Sequence, residues 1–239
     1  MIEVTRCMGL STEGLVEFED GLMCLPEAKE AFLELRECAA REGFELKACS
    51  AFRSFEAQAA IFGAKFRGDR PILDANEEPL SAIPEDPVER IRAILRFSAM
   101  PGFSRHHFGS DFDVYAPNKL PEGQKLQLTS REYDHGAYFY ELGCFLRENL
   151  RTYGFGNPYQ GGFSRPGGLP DDAEGAGLVV VGNEPWHISH LATAQEYLRE
   201  YDFQDALDYV AGSDLEFAPY VRSVMTLEQA DAMLRFCCI

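Results

Sequence analysis

The sequence has no long apolar run and few basic residues. No stretch approaches the ~20 consecutive apolar residues that a membrane helix needs, so we expect no membrane insertion. The 22 lysines and arginines are outnumbered by 39 aspartates and glutamates, which gives a formal net charge of −17. An acidic surface of this kind repels the phosphate backbone of nucleic acids and the headgroups of anionic membranes. We therefore expect neither nucleic acid nor a membrane surface as a partner.

The sequence also begins without the pattern of an export signal, which is a basic start followed by an apolar stretch of about 7–15 residues. Its first ten residues are Met-Ile-Glu-Val-Thr-Arg-Cys-Met-Gly-Leu. This beginning favours a cytoplasmic protein, or a periplasmic one if a leader has been removed.

Paired cysteines and internal repeats are missing too. The seven cysteines are an odd number, and none forms a Cys-x-x-Cys pair. This disfavours a disulfide framework or a cysteine-rich zinc site, and we expect reduced, mostly buried thiols. The length of 239 residues suits one domain with an extension. We place the domain at residues 1–195 and an acidic helical extension, packed on or near it, at residues 196–239.

Apolar spacing, capping residues and glycines predict short helices and strands. Helices are predicted over residues 27–42, after Ser54, after Asp86, over 137–152 and through most of 191–239. Strands are predicted over residues 44–50, 111–116 and 178–181, with a glycine-rich loop over 160–177. The helices and strands do not alternate as βαβ units do, which favours an α+β fold.

Four of the five histidines lie in two short segments, and residues 101–113 are the first. Gly109 lets the chain turn back, so that a strand bearing Asp113 returns beside His106. Alternation along that strand places Asp111 and Asp113 on one face. Imidazole nitrogen and carboxylate oxygen both suit Zn²⁺. The alternative interpretation is a polar turn followed by a strand whose acidic side chains face water.

Residues 182–190 are the second segment, in which Glu184 precedes His187 by three residues. Pro185 lies between them and argues against a helix interior. Together the two segments supply three ligands and a carboxylate base, which is what a catalytic zinc site with an open position for water needs. By itself, the second segment is more typical of an edge strand with a core histidine.

Several motifs, in order along the chain, resemble the VanY-type D-alanyl-D-alanine carboxypeptidases. These belong to the LAS metallopeptidases, named after lysostaphin, D-Ala-D-Ala carboxypeptidases and sonic hedgehog. The family pattern Ser-x-His-x-x-Gly-x-Ala-x-Asp stands at residues 104–113, and Glu-x-Trp-His stands at residues 184–187. Ser-x-aromatic-Arg-Ser…Gln stands at residues 50–58, and Tyr-Gly-Phe stands at residues 153–155. The resemblance covers roughly residues 27–195.

The resemblance implies a zinc site. His106, Asp113 and His187 would bind one zinc ion per chain. Glu184 would be the general base that activates the zinc-bound water and then passes the proton to the leaving amine.

The resemblance also implies residues that hold the substrate. Arg53 would act in catalysis by stabilising the developing oxyanion, or would hold a substrate carboxylate. Gln58 and Ser104 would orient the substrate or the metal ligands.

The fold that the resemblance implies is an α+β LAS-type core, a small antiparallel sheet flanked by helices with the zinc in a cleft on the sheet. The activity would be a zinc carboxypeptidase that removes a C-terminal D-amino acid, D-Ala, from peptidoglycan stem peptides or muropeptides with D,D- or L,D-specificity. One alternative is an endopeptidase of the same clan that cuts L-Ala–D-Glu or a cross-bridge. Another is a non-catalytic, zinc-containing module that binds peptidoglycan.

The chain departs from the family pattern at Asp111, where alanine is usual. We expect this carboxylate to point aside and be solvated, and the alternatives are a contact to a metal ligand or to a substrate amine. His107 and His190 flank candidate ligands. We expect each to be structural, or to contact a metal ligand without binding the metal itself.

Overall fold

The computed structural model describes residues 4–159, 182–226 and 234. The α-helices within them are Val4–Cys7 (α1), Pro26–Arg41 (α2), Phe55–Arg67 (α3), Pro87–Leu95 (α4), Tyr140–Asn149 (α5), Leu191–Glu200 (α6), Phe203–Ala211 (α7) and Val221–Val224 (α8). The strands are Val16–Glu17 (β1), Met23–Cys24 (β2), Lys47–Ser50 (β3), Asp111–Tyr115 (β4), Phe155–Gly156 (β5) and His187–His190 (β6). No helix in the described part of the chain is both long enough and apolar enough to cross a membrane.

Local capping fixes where the two helices before the site begin. The Ser54 hydroxyl accepts a hydrogen bond from the backbone N–H of Ala57 and so caps α3. The Asp86 carboxylate accepts from the N–H groups of Val88 and Glu89 and so caps α4. Both side chains satisfy N–H groups that the first helical turn leaves unpaired, as their positions in the sequence predict.

The other described predictions hold with small shifts in their ends. Helix α2 begins and ends one residue before the range predicted at 27–42, and the strand predicted over 44–50 begins at residue 47. The helix predicted over 137–152 comprises α5 and a following 3-10 turn at Leu150–Tyr153. The strand predicted over 178–181 and the loop predicted over 160–177 lie outside the described residues.

Four strands form one antiparallel sheet in the order β3-β4-β6-β5. This small sheet with helices around it confirms the predicted α+β class. Strand β6 has partners on both sides, so the alternative of an edge strand is wrong. The residues paired across β4 and β6 are Asp111 with Ser189, Phe112 with Ile188 and Asp113 with His187.

The two faces of β4 and β6 have different surroundings because side chains alternate along a strand. Phe112 and Ile188 point into the apolar core and are fully buried. The ring of Phe112 lies 4.9 Å from that of Phe32 on α2 and 5.7 Å from that of Phe18. The opposite face carries the polar residues of both strands, and the candidate site is built there.

Two backbone irregularities shape that face. The pairing of β3 with β4 shifts after Ala48, so that Ser50 lies opposite Asp113. Such bulges often re-aim side chains beside functional sites. Gly109 turns the chain between the first histidine segment and β4 with a φ of 73°, and a Cβ there would lie 2.6 Å from Leu15. Glycine is therefore required at this turn.

The C-terminal helices pack against the rest of the chain. The ring of Phe217 lies 4.6 Å from that of Phe62 and 6.0 Å from that of Phe66, both on α3. The boundary that we predict at residue 195 lies inside α6. In the predicted extension 196–239, residues 196–226 contain the end of α6, α7 and α8, and the division of this extension from the main domain stays a prediction.

Candidate metal centre

The sheet and the turn before it bring three candidate ligands together. His106 lies on a 3-10 turn, Asp113 on β4 and His187 on β6. One nitrogen or oxygen atom from each lies within 4.8 Å of the others, and all three side chains are buried. The antiparallel pairing explains part of this arrangement, because Asp113 and His187 are directly opposite each other. Gly109 supplies the rest by returning β4 beside His106, as predicted.

A backbone contact sets which nitrogen of His106 faces the site. Its Nδ1 lies 2.8 Å from the carbonyl oxygen of Ala51. A carbonyl only accepts hydrogen bonds, so Nδ1 carries the proton. Nε2 is then the nitrogen that faces Asp113, at 3.3 Å from Oδ2.

His187 is oriented the other way round. Its Nε2 lies 2.9 Å from Oδ2 of Asp111, so Nε2 donates to that carboxylate. Its Nδ1 faces the site, 3.3 Å from Oδ1 of Asp113 and 3.5 Å from Oε2 of Glu184. Burial by itself lowers the pKa of His187, but the hydrogen bond to Asp111 and the nearby carboxylates of Asp113 and Glu184 raise that pKa well above the ordinary value. The site therefore favours a positive charge at this position.

The unpaired oxygen of Asp113 is what a cation would satisfy. Oδ1 of Asp113 is buried and has no hydrogen-bond partner among the described residues. Burial by itself raises the pKa of this carboxyl group, but His106 and His187 hold it well below its ordinary value. An ionised carboxylate oxygen and two imidazole nitrogens that converge on one point are a donor set that suits Zn²⁺.

Asp111 is not solvated, and our expectation for it is wrong. The residue is fully buried. Its Oδ2 accepts from Arg105 Nε at 2.9 Å and its Oδ1 accepts from the hydroxyls of Ser110 at 2.6 Å and Ser189 at 2.8 Å. Burial by itself raises the pKa of Asp111, but the Arg105 guanidinium and His187 keep it below the ordinary value. Asp111 contacts the candidate ligand His187, which is one of the two alternatives given by the sequence analysis.

Arg105 ties this network to the C-terminal part of the chain. Its guanidinium donates to the hydroxyl of Ser189 at 2.5 Å and to the backbone carbonyl of Leu234. The side chain is fully buried, and its charge is offset by Asp111. Sequence reasoning missed Arg105. A buried aspartate on the ligand face of β4 needs a cation, and this arginine stands six residues before it.

Glu184 and Arg53 flank the three candidate ligands. A turn positions Glu184, because its carbonyl accepts hydrogen bonds from the backbone N–H of His187 at 3.0 Å and from the side chain of Asn157 at 3.1 Å. Nη2 of Arg53 lies 3.7 Å from Oδ2 of Asp113. The structure thus places a carboxylate and a guanidinium beside the cluster, as the motifs predict.

The two other predicted substrate-binding residues differ in their placement. Ser104 is buried but lines the same cavity as the candidate ligands. Gln58 is 1% exposed and is not among the residues that line it. Its amide oxygen accepts from Arg53 Nη1 at 2.9 Å, and its amide nitrogen donates to the carbonyl of Ala99 at 2.6 Å. Gln58 therefore holds Arg53 in place and does not itself reach the cavity.

The remaining histidines of the two segments have structural contacts. Nδ1 of His107 donates to the carbonyl of Arg53 at 2.6 Å, and its Nε2 accepts from the backbone N–H of Gly102 at 3.0 Å. Nδ1 of His190 lies 3.0 Å from the hydroxyl of Thr193 at the start of α6. Neither imidazole belongs to the His106–Asp113–His187 cluster.

The cluster opens into a cavity of about 260 Å³. Its lining also includes Lys65 of α3 and Tyr159. The ring of Tyr159 lies 4.9 Å from that of His187, in an edge-to-face contact. Sequence reasoning missed both residues. Lys65 follows Gln58 by two turns on one face of α3, and that spacing is a signal that could have been used.

The fold and this cluster define an α+β protein whose sheet carries a candidate cation site beside a carboxylate. A sequence model of the VanY family, described as D-alanyl-D-alanine carboxypeptidase, matches residues 23–193. This span is more than half of the chain, so the chain belongs to the VanY D-alanyl-D-alanine carboxypeptidase family. The motif resemblance is thereby confirmed.

Individual proteins show more distant likeness. An uncharacterized protein of Haemophilus influenzae is 42% identical over 92 residues, which are 38% of this chain and 60% of that protein. The chain thus spans 60% of the length of that curated relative. The structure of VanYB in complex with D-alanine-D-alanine is 21% identical over 81% of this chain and 87% of that one, with a TM-score of 0.49. A mutant of the vancomycin-resistance D,D-pentapeptidase VanY, in complex with Zn(II), is 22% identical over 81% and 88%, with a TM-score of 0.48.

Proposed function

We propose that the protein is a zinc-dependent carboxypeptidase that hydrolyses the peptide bond before a C-terminal D-amino acid of peptidoglycan-derived peptides. The observation that carries the proposal is the convergence of Nε2 of His106, Nδ1 of His187 and the unpaired Oδ1 of Asp113 in a cavity that also holds Glu184 and Arg53. Membership of the VanY family supports the same reaction and substrate class.

The candidate ligands hold the metal, and the flanking residues handle the proton and the charge. Bound Zn²⁺ supplies Lewis acidity, which polarises a carbonyl group and acidifies water. The Glu184 carboxylate takes a proton from the attacking water and delivers it to the leaving amine, so that one water is consumed for each C–N bond broken. Arg53, held by Gln58 and by the Ser50 hydroxyl at 2.9 Å, presents its guanidinium to the developing oxyanion or to the substrate carboxylate.

The test joins metal content to a product assay. We expect about one zinc per chain by elemental analysis and release of D-Ala from tetrapeptide or pentapeptide stem peptides with a free C-terminus. His106→Ala should lose the zinc, while Glu184→Gln should keep the zinc and lose hydrolysis. Loss of the zinc in Glu184→Gln, or full-rate hydrolysis by that variant, contradicts the assigned roles.

The same assay separates cleavage at the end of the peptide from cleavage within it. Peptides with an amidated C-terminus should resist a carboxypeptidase, because the carboxylate that it recognises is gone. Equal cleavage of free and amidated peptides, at an internal bond, identifies an endopeptidase instead. Zinc that is retained without cleavage of any stem peptide identifies a binding module.

A further inference from the structure

The inference concerns Lys65 and Ser98, and it rests on the proposed function. We infer that these two residues form a second carboxylate-binding subsite in the cavity, apart from the C-terminal carboxylate. This subsite selects peptides that carry a free carboxylate upstream of the scissile bond. The preferred substrates of the proposed reaction are therefore acidic stem peptides.

The position of Lys65 follows from the geometry of α3. Gln58, Ile61 and Lys65 are spaced i, i+3 and i+7, so they lie along one face of the helix. Ile61 and Lys65 line the cavity, and Gln58 holds Arg53. With a rise of ~1.5 Å per residue, Lys65 lies about 10 Å along the helix from Gln58. The cations that line the cavity are Arg53 beside Asp113, Arg105 paired with Asp111, and Lys65 farther along α3.

Lys65 lacks a counter-ion among the described residues. Its Nζ donates to the hydroxyl of Ser98 at 2.7 Å. No carboxylate oxygen in the described part of the chain lies within 4.0 Å of it. Burial lowers the pKa of Lys65, although Glu184 acts to raise it. A desolvated ammonium group with one neutral partner is unfavourable, and a substrate carboxylate supplies the missing charge.

The acidic residues that line the cavity contact groups other than the Lys65 ammonium. Glu77 accepts hydrogen bonds from the backbone N–H of Ser130 at 2.7 Å and from its hydroxyl at 2.8 Å. Asp113 and Glu184 face the candidate metal position. Although the chain has a net charge of −17, the charge of a lysine without a nearby carboxylate is complementary to an anionic ligand in the cavity.

The test uses two stem peptides that differ in one group. Both end in D-Ala and have lysine as the third residue, and the second residue is either D-isoglutamate or its amide, D-isoglutamine. The zinc-loaded wild type should show a kcat/KM about 10-fold or more in favour of the acid, since a hydrogen bond to a charged group is worth ~1.5–3 kcal/mol. The difference should lie in KM.

Three variants assign that preference to Lys65. Lys65→Met should bring the two peptides within about 2-fold of each other by raising KM for the acid alone. Lys65→Arg should keep most of the preference. Lys125→Met, which removes an exposed lysine and the same net charge, should behave as wild type.

Each other outcome overturns a specific statement. Equal kcat/KM values for acid and amide in the wild type, an unchanged preference in Lys65→Met, or an equal loss for both peptides in that variant contradicts the subsite. If the wild type hydrolyses neither peptide, the proposed function fails. Titration calorimetry with the same two peptides then still decides whether Lys65 binds the carboxylate.

Discussion

Asp111 acts on the candidate metal centre through a ligand. Its carboxylate accepts a hydrogen bond from the Nε2–H group of His187 and thereby turns Nδ1 towards Asp113. Arg105 offsets its charge, so Asp111 orients the imidazole without adding an uncompensated anion to the buried network. A carboxylate behind a ligating histidine raises the basicity of that ligand and fixes its ring.

Replacing Asp111 should therefore weaken metal binding. We expect Asp111→Asn to lower zinc affinity by roughly 10- to 100-fold, the usual effect of losing such a partner. Competition with a chromophoric chelator measures this in folded protein, well below the melting temperature. Asp134→Asn, at an exposed carboxylate, is the matched control and should bind zinc as the wild type does. Wild-type affinity in folded Asp111→Asn contradicts the role.

His107 should make stability depend on pH. Burial lowers its pKa from 6.5 to about 3. Below about pH 6.5 this histidine binds a proton in the unfolded chain but stays neutral in the folded chain. The free energy of unfolding therefore decreases as the pH falls from 6.5 towards 3. Protonation would also put an N–H against the backbone N–H of Gly102.

The measurement is the free energy of unfolding in urea between pH 4.5 and 7, on metal-free protein. His107→Gln should be less stable at pH 7, but its slope against pH should be shallower than the wild type's by up to ~1.4 kcal/mol per pH unit. His135→Gln, at an exposed histidine, should keep the wild-type slope. An identical slope in His107→Gln shows that His107 does not titrate in this range.

The sequence correctly predicts that the candidate ligands lie together, but it predicts an exposed Asp111 where the structure has a buried one. His106, Asp113, Glu184 and His187 stand in motifs whose spacing carries the chemistry. The alternation that places Asp113 on the inner face places Asp111 there too, so its burial was implicit in the strand pattern. Its partners could not be read in the same way, because Ser189 comes from a distant strand.

At the scale of elements, the candidate centre joins neighbouring strands. Asp113 on β4 and His187 on β6 are a directly opposed pair, and His106 approaches from the turn that leads into β4. A metal bound by these three side chains cross-links segments that are far apart in the sequence. Because the unfolded chain does not hold them together, binding stabilises the folded state.

Removing the metal should therefore lower the melting temperature. At a free zinc concentration of 100 times Kd, the stabilisation is about 2.7 kcal/mol, which corresponds to roughly 5–10 °C for a chain of this size. Differential scanning calorimetry with and without a chelator measures the shift. Glu184→Gln should keep it and His106→Ala should lose it. A shift that persists in His106→Ala places the metal elsewhere.

Elements with local signals could be predicted, and those fixed by distant contacts could not. Ser54 and Asp86 cap their helices with side chains that reach only two or three residues, so the sequence reveals both helix starts. For the segment at 187–190 the sequence suggests an edge strand only as an alternative, because its second partner β5 is itself only two residues long. Register and strand order depend on side chains across the whole sheet.

At the scale of the molecule, the C-terminal part of the chain supports the candidate centre. Helices α7 and α8 come after the last of the family motifs in the sequence, and Phe217, which lies between them, packs against α3. Leu234 is fully buried and its carbonyl accepts from Arg105. Arg105 in turn contacts Asp111, which contacts His187.

Two changes at the C-terminal end should separate the effect of the Leu234 side chain on packing from the effect of its carbonyl on Arg105. Leu234→Ala keeps the backbone carbonyl and should cost about 2–5 kcal/mol of unfolding free energy through the cavity it leaves. A chain that ends at Thr226 loses the carbonyl as well, which removes one of the acceptors of Arg105. This chain should be less stable still and should bind zinc more weakly. Denaturant unfolding and chelator competition measure both effects.

The control for these variants is Leu33→Ala, because Leu33 is 39% exposed and its truncation should change stability little. Wild-type zinc affinity in the folded, shortened chain contradicts the connection from Leu234 to the centre.

The hydrogen bond from Arg105 to Leu234 also bears on how the protein is made. Chains emerge from the ribosome N-terminus first, and each domain folds as its residues become free. All the candidate ligands precede residue 188, yet the carbonyl that completes the Arg105 network comes from residue 234. A nascent chain can therefore expose its histidines before the network behind them is complete. The fully supported centre therefore arises only after residue 234 has been synthesised and is free to pack.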